Sequence, residues 1–137
     1  MTQNAGYTYR HVLGADAAGR VTLDFLVKTL PPSSESQWRE RLICGEILLG
    51  DRIADGTETL RAGTVLIWNR RSWLEEDTPQ QFGIVFRDEY VLVVNKPSGL
   101  PTLPGAGFFL NTLLSMVRTQ IPGARPLHRL GRATSGL

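Results

Sequence analysis

The sequence predicts an α+β chain, and three patterns predict it. Residues 19–45 hold two short amphipathic helical stretches, residues 46–69 switch to strand spacing, and residues 82–121 read as strand, turn, strand, loop and helix. The material is that of a folded chain: of 137 residues, 42% are hydrophobic and 20% charged. No apolar run approaches the roughly 18 residues of a membrane span. Residues 1–10 are too polar for a secretory signal, so a cytoplasmic setting is expected.

The elements follow in order. Residues 1–18 show no periodicity and predict a loose N-terminal arm or a single edge strand. In VTLDFLVKTLPP, Val21, Phe25, Leu26 and Leu30 share a helical face, Thr22 offers an N-cap hydroxyl, and Pro31 and Pro32 stop the helix. In SSESQWRERLICGE, Ser34 and Gln37 have capping-box spacing, Trp38 and Leu42 lie one turn apart, and Gly45 is a C-terminal stop. Cys44 is the single cysteine; beside Ile43 it reads as a buried structural thiol. No Cys/His cluster has metal-ligand spacing, and no motif implies a cofactor.

Next, EILLGDRIADGTETLRAGTVLIW carries apolar strings separated by the turn pairs Gly50-Asp51, Asp55-Gly56 and Ala62-Gly63. Residues 70–81, RRSWLEEDTPQQ, alternate in charge and read as a linker. Its Arg70 and Arg71 either touch phosphate or pair with Glu75, Glu76 or Asp77. Two strands, Ile84 to Phe86 and Tyr90 to Val94, then flank an Arg87-Asp88-Glu89 turn, and KPSGLPTLPG forms an irregular loop able to present N–H groups and a lysine. In FFLNTLLSMVRTQI, Leu110, Leu113, Leu114 and Val117 make the apolar face of a helix that ends before Pro122-Gly123. The segment RPLHRLGRATSGL closes the sequence.

Net charge is +2, but its distribution is uneven. All 13 acidic residues lie in residues 1–89, against ten cations, for −3; residues 90–137 carry Lys96, Arg118, Arg125, Arg129 and Arg132 with no acid, for +5. An acid-free basic stretch suits a surface that meets polyanions, or one whose partner acids lie elsewhere in the fold.

Two resemblances join these observations. Residues 20–69, which include GEILLGDRIADGTETLRAGTVLIW, resemble the small RNA-binding domain named after ribosomal protein S-four. The usual basic second helix of that domain is diluted here by Ser34, Glu35, Ser36 and Gln37, and residues 20–70 sum to zero charge, which implies weak or assisted RNA binding. DEYVLVVNKPSGLPTLPG, NTLLSMV and PLHRLGRATSGL together resemble the start of the catalytic domain of the RluA-type pseudouridine synthases, which isomerise uridine in RNA. The resemblance implies an S-four-type domain over residues 19–69, a linker over 70–81, and an incomplete mixed-sheet catalytic domain over 82–137.

It also implies site residues. Asn95, Lys96, Pro97, Gly99 and Leu100 match the motif that walls the active-site cleft in relatives. The signature HRLD-x-x-TSG falls on His128, Arg129, Leu130, Gly131, Thr134, Ser135 and Gly136, with Arg132 adding a further cation. The position of Arg129 is associated in relatives with displacing the flipped uridine, a role suited to a planar, permanently charged donor. His128 and Arg132 would contact RNA beside it, while Thr134 and Ser135 would complete the wall. The essential aspartate of the motif is replaced by Gly131. Glycosidic cleavage needs a carboxylate to attack, stabilise or deprotonate the sugar, so this chain alone is expected to be inactive. The resemblance implies RNA as partner, ribosomal or transfer, with neither membrane nor metal. A synthase fragment, a non-catalytic RNA-binding module and a structural remnant stay open as readings.

Overall fold

The computed structural model of the chain describes residues 1–30 and 33–137. In chain order the elements are β1 (Thr2–Gln3), β2 (Tyr7–Val12), α1 (Thr22–Thr29), α2 (Glu35–Ile43), β3 (Ile47–Leu49), β4 (Arg52–Ile53), β5 (Val65–Arg70), β6 (Leu74–Glu75), β7 (Gly83–Arg87), β8 (Leu92–Asn95) and α3 (Leu113–Gln120). The chain is α+β, with antiparallel sheets throughout the described residues. It divides into two compact units, Ala5–Ser72 and Met1–Asn4 with Trp73–Leu137.

In Ala5–Ser72 a four-stranded sheet of order β2-β5-β3-β4 carries both helices. Of the two possibilities for the N-terminal arm, part of it takes the edge strand: Tyr7 to Val12 pair with Arg70 to Val65. The α2 N-terminus is the capping box read from sequence. Ser34 Oγ accepts from the Gln37 N–H at 3.3 Å, and the Ser34 N–H donates to Gln37 Oε1 at 2.8 Å. Trp38 and Leu42, one turn apart, are buried against Phe25, Leu26, Ile47 and Leu66. Gly56 (φ +100°) is a turn position only glycine suits, because a Cβ there would lie 2.8 Å from Leu42 Cδ1.

Three local expectations are corrected here. Val21, not Thr22, occupies the α1 N-cap, with no side-chain cap bond; Thr22 is buried and its hydroxyl donates to the Glu58 carbonyl at 3.1 Å. The buried hydrogen bond to a neighbouring turn has won over the local cap. Cys44 is exposed, as the C-cap residue of α2: the buried face falls on Trp38 and Leu42, and the helix ends before another turn could carry the thiol inward. The stop assigned to Pro31 and Pro32 lies outside the described residues; α1 ends at Thr29, with Leu30 as its C-cap.

In the other unit, β7 and β8 form a hairpin whose turn is held by Asp88, its carboxylate accepting the N–H groups of Tyr90 and Val91. Helix α3 is N-capped by Thr112, whose Oγ1 accepts the Ser115 N–H. Leu113 and Val117 are buried with Leu100, whereas Leu110 precedes the helix and is 41% exposed. The stretch read as a linker contains β6, paired with β1. None of its carboxylates takes the neighbouring arginines. Glu75 is buried, Glu76 pairs with Arg132, Asp77 pairs with the Met1 amino group, and Arg71 pairs with Glu46. Sequence proximity placed these charges together; strand pairing pulled them apart.

Candidate functional site

The KPSG loop and the HRLGRATSG loop are bound to each other by backbone. Lys96 N–H donates to the Gly136 carbonyl at 2.8 Å and Gly136 N–H returns the bond at 3.1 Å, while Gly99 N–H donates to the Arg132 carbonyl at 2.8 Å. Side chains add to this seam. Ser98 Oγ donates to the Ala133 carbonyl and Thr102 Oγ1 to the Leu130 carbonyl, each at 2.8 Å. Gly99 adopts φ +88°, the turn geometry that proline-then-glycine wording suggested.

Lys96 is central to this seam. Its side chain is buried, and its ammonium donates to the carbonyls of Leu100 (2.7 Å), Pro97 (3.0 Å) and Arg132 (3.2 Å). Three acceptors match the three donors of an ammonium, so the charge is fully hydrogen-bonded. Burial pushes its pKa below the ordinary lysine range. Lys96 therefore clamps two loops instead of presenting its charge to a ligand.

Arg132 is fastened in a comparable way. Its Nε donates to the Gly99 carbonyl at 3.2 Å, its Nη2 meets Glu76 Oε2 at 3.0 Å, and its guanidinium lies 4.6 Å from the Phe108 ring centroid. Glu76 is a carboxylate that sequence reasoning did not bring to this loop. Its position in an alternating-charge stretch gave no signal; only the fold connects it.

The remaining residues divide into outward and flanking positions. His128 and Arg129 are exposed, as are Thr134 and Ser135. The Thr134 N–H closes a turn onto the Gly131 carbonyl at 3.0 Å. Asn95 is exposed at the end of β8, opposite Gly83. Beside these loops lies a largely apolar hollow of about 400 Å³, lined by residues of β8 and α3, by Leu127 and Leu130, and by Arg125 and His128. The arrangement is a loop held rigidly from behind, offering an imidazole and a guanidinium to solvent, with no carboxylate at position 131. Among the described residues there is no cluster of His, Cys, Asp and Glu fit for a metal ion, and no helix is long and apolar enough to cross a membrane.

No family model matches the chain. It is similar, however, to several curated proteins. It is 40% identical over 117 residues to an uncharacterised RNA pseudouridine synthase of Synechocystis, covering 84% of this chain and 40% of that protein. RNA pseudouridine synthase 5 of Arabidopsis thaliana is 31% identical, covering 98% of this chain and 40% of its own length. The ribosomal large subunit pseudouridine synthase D of Xylella fastidiosa is 30% identical, covering 97% and 43%. The chain thus spans about two fifths of the length of these relatives. These identities extend over 84–98% of the chain, so over most of its length it is similar to RNA pseudouridine synthases.

Proposed function

We propose that this chain forms the RNA-holding part of a uridine-to-pseudouridine isomerase and does not itself perform the reaction. Residues 19–69 are assigned to an S-four-type RNA-binding domain, preceded by the arm over 1–18 and joined through 70–81 to part of the catalytic domain over 82–137. Arg129 is the base-displacing residue, with His128 beside it; Asn95, Pro97, Thr134 and Ser135 form the wall, and Lys96 and Arg132 keep wall and loop together. RNA, ribosomal or transfer, is the partner.

One observation carries the reading: the signature loop is fastened by seven hydrogen bonds to residues 96–102 while Arg129 remains exposed. A preorganised loop loses little freedom when it holds a flipped nucleotide. Inactivity follows from Gly131, which has no group to act on the glycosidic bond.

Binding of the chain to RNA at increasing salt tests the partner, because each phosphate contact adds about −0.7 to the log–log slope for a single strand. A slope near zero would remove the RNA-holding reading in favour of a structural remnant. Release of tritium from carbon five of uridine tests the chemistry: none is expected from the wild-type chain. Turnover by wild type equal to that of the Gly131→Asp variant would sink the carboxylate argument.

A further inference from the structure

The zero charge of residues 20–70 predicts weak polyanion binding by the N-terminal unit, but the fold sorts the side chains. In the β2–β5 ladder Tyr9 stands opposite Trp68 and Tyr7 opposite Arg70. Opposed residues share a sheet face, so these four side chains lie together, with Trp38 and Arg41 of α2 packed against them. Tyr9 stacks on Trp68 with centroids 5.0 Å apart and planes at 22°. Tyr7 meets Tyr9 edge-on at 4.7 Å, and Trp38 meets Trp68 edge-on at 4.9 Å.

Two cations enter this array. The Arg41 guanidinium lies 4.6 Å from the centroids of both Trp38 and Trp68, and that of Arg70 lies 5.6 Å from Trp68. Arg41 is further fixed by donating to Ser33 Oγ at 2.7 Å. Of the acids nearby, Glu46 is already engaged, accepting from the Trp68 indole N–H and pairing with Arg71. Tyr7 is 43% and Tyr9 39% exposed, with Arg70 opposite Tyr7 and Arg41 against the two tryptophans. Exposed aromatic rings interleaved with guanidiniums complement a ligand that is both planar and anionic. A cationic ligand is disfavoured, because the charge beside the rings is already positive.

We propose that Tyr7, Tyr9, Arg41 and Arg70 form a binding site for single-stranded RNA, in which bases stack on the two tyrosines and backbone phosphates meet the two arginines. The site rests on the RNA-holding reading above but is separate from the signature loop. Its tyrosines are held by ring contacts and Arg41 by Ser33 and the two tryptophans before any ligand arrives, so binding has little side-chain freedom to remove there. The tyrosines come from the arm preceding the S-four-like stretch, where composition gave no sign of a ligand.

The test uses the 137-residue chain and labelled oligouridylate of about 12 nucleotides, within the range such platforms cover. Threonine keeps the strand preference while removing the ring. The Tyr7→Thr/Tyr9→Thr variant is expected to bind about 5- to 150-fold more weakly for each base stack lost, while Tyr7→Phe/Tyr9→Phe binds as wild type. Arg70→Gln is expected to reduce the salt slope by about 0.7. A fully paired duplex should compete poorly, since its bases are not free to stack.

Equal affinity of wild type and the threonine variant would overturn the proposal. If Arg129→Ala still weakened binding in that case, the RNA-holding reading would stand without this site; no binding by wild type at low salt would remove both. Photocrosslinking of wild type to oligomers carrying 4-thiouridine supplies a readout free of folding effects. Adducts on Tyr7 or Tyr9 support the site, and adducts confined to residues 90–137 overturn it.

Discussion

At Gly131 the backbone leaves room for the side chain that the chemistry lacks. A Cβ built there has Thr134 Oγ1 at 3.5 Å as its nearest neighbour, an ordinary contact, and Gly131 is not among the glycines at positive φ. Gly131→Asp should therefore fold normally, with a stability change within about 0.5 kcal/mol by urea denaturation. A loss of several times that would mean the loop requires glycine for its shape. Glu75 presents the opposite case, a carboxylate the fold depends on. It is 1% exposed and accepts the Asn4 amide at 2.7 Å and the N–H groups of Phe109, Leu110 and Asn111 at 2.9–3.1 Å. Burial works against its charge, but the N–H groups of Asn111 and Phe109, then the Asn4 amide and the Leu110 N–H, outweigh it and hold the carboxyl below the ordinary glutamate range. A lowered folded pKa means its stabilisation is complete above the unfolded value near 4.3 and is lost as pH falls through the folded one. Glu75→Gln should cost about 2–3 kcal/mol at neutral pH, with the gap to wild type narrowing as the pH falls below the ordinary glutamate range. A gap that stayed constant across the titration would contradict this account. Nothing in the sequence marked Glu75, because its donors lie 34 to 71 positions away and the run Glu75-Glu76-Asp77 reads as solvated charge.

Elements whose causes are local were legible. The capping box of α2, the Trp38/Leu42 face and the turn glycines Gly45, Gly50, Gly56 and Gly63, all at positive φ, follow from a few adjacent residues each. Elements fixed by distant partners were not: β2 owes its place to β5, and Thr22 owes its side-chain bond to Glu58. The same distinction separates the two parts of the candidate site. Its motif residues could be read in order, but the role of Lys96 as a clamp depends on carbonyls from both loops. Lys96→Met keeps the length and apolar stem while deleting the donor, leaving the Pro97 and Leu100 carbonyls without their bond. We expect a loss of about 2–3 kcal/mol and faster hydrogen exchange at the Gly99 and Gly136 amides, which sit in the seam. Unchanged exchange at both amides would show that the backbone bonds hold the loops without the ammonium. For Gly56→Ala the clash with Leu42 Cδ1 and the positive φ act together, and about 1–3 kcal/mol should be lost from the Ala5–Ser72 unit.

Across the whole molecule, the α+β class and the charge division are legible in the sequence, while the partition of surface between core and solvent is set by contacts between residues far apart in it. The two units differ in this respect. In Ala5–Ser72 the four-stranded sheet buries Trp38, Phe25 and Ile47 completely beneath its helices. In the other unit the β7–β8 hairpin is a two-stranded sheet, with Val85 59%, Phe86 52% and Tyr90 86% exposed, and Leu127 stands 93% exposed beside the apolar hollow. Open strand edges next to exposed apolar side chains are templates for pairing with another chain, and patches of this kind seldom persist on a monomer. The isolated chain should therefore self-associate with rising concentration in sedimentation velocity. Replacing Phe86 and Leu127 by lysine should suppress that association, since both side chains already face water and their loss leaves no cavity. The melting transition of the Ala5–Ser72 unit, followed by tryptophan fluorescence, should stay where it is. Sedimentation of wild type as a monomer at every concentration would show that the exposed hairpin tolerates solvent unaided. Association that persisted unchanged in the lysine variant would move the contact to another face, of which the outer surface of the four-stranded sheet, with Val12 66% and Ile53 68% exposed, is the next to examine by the same substitution.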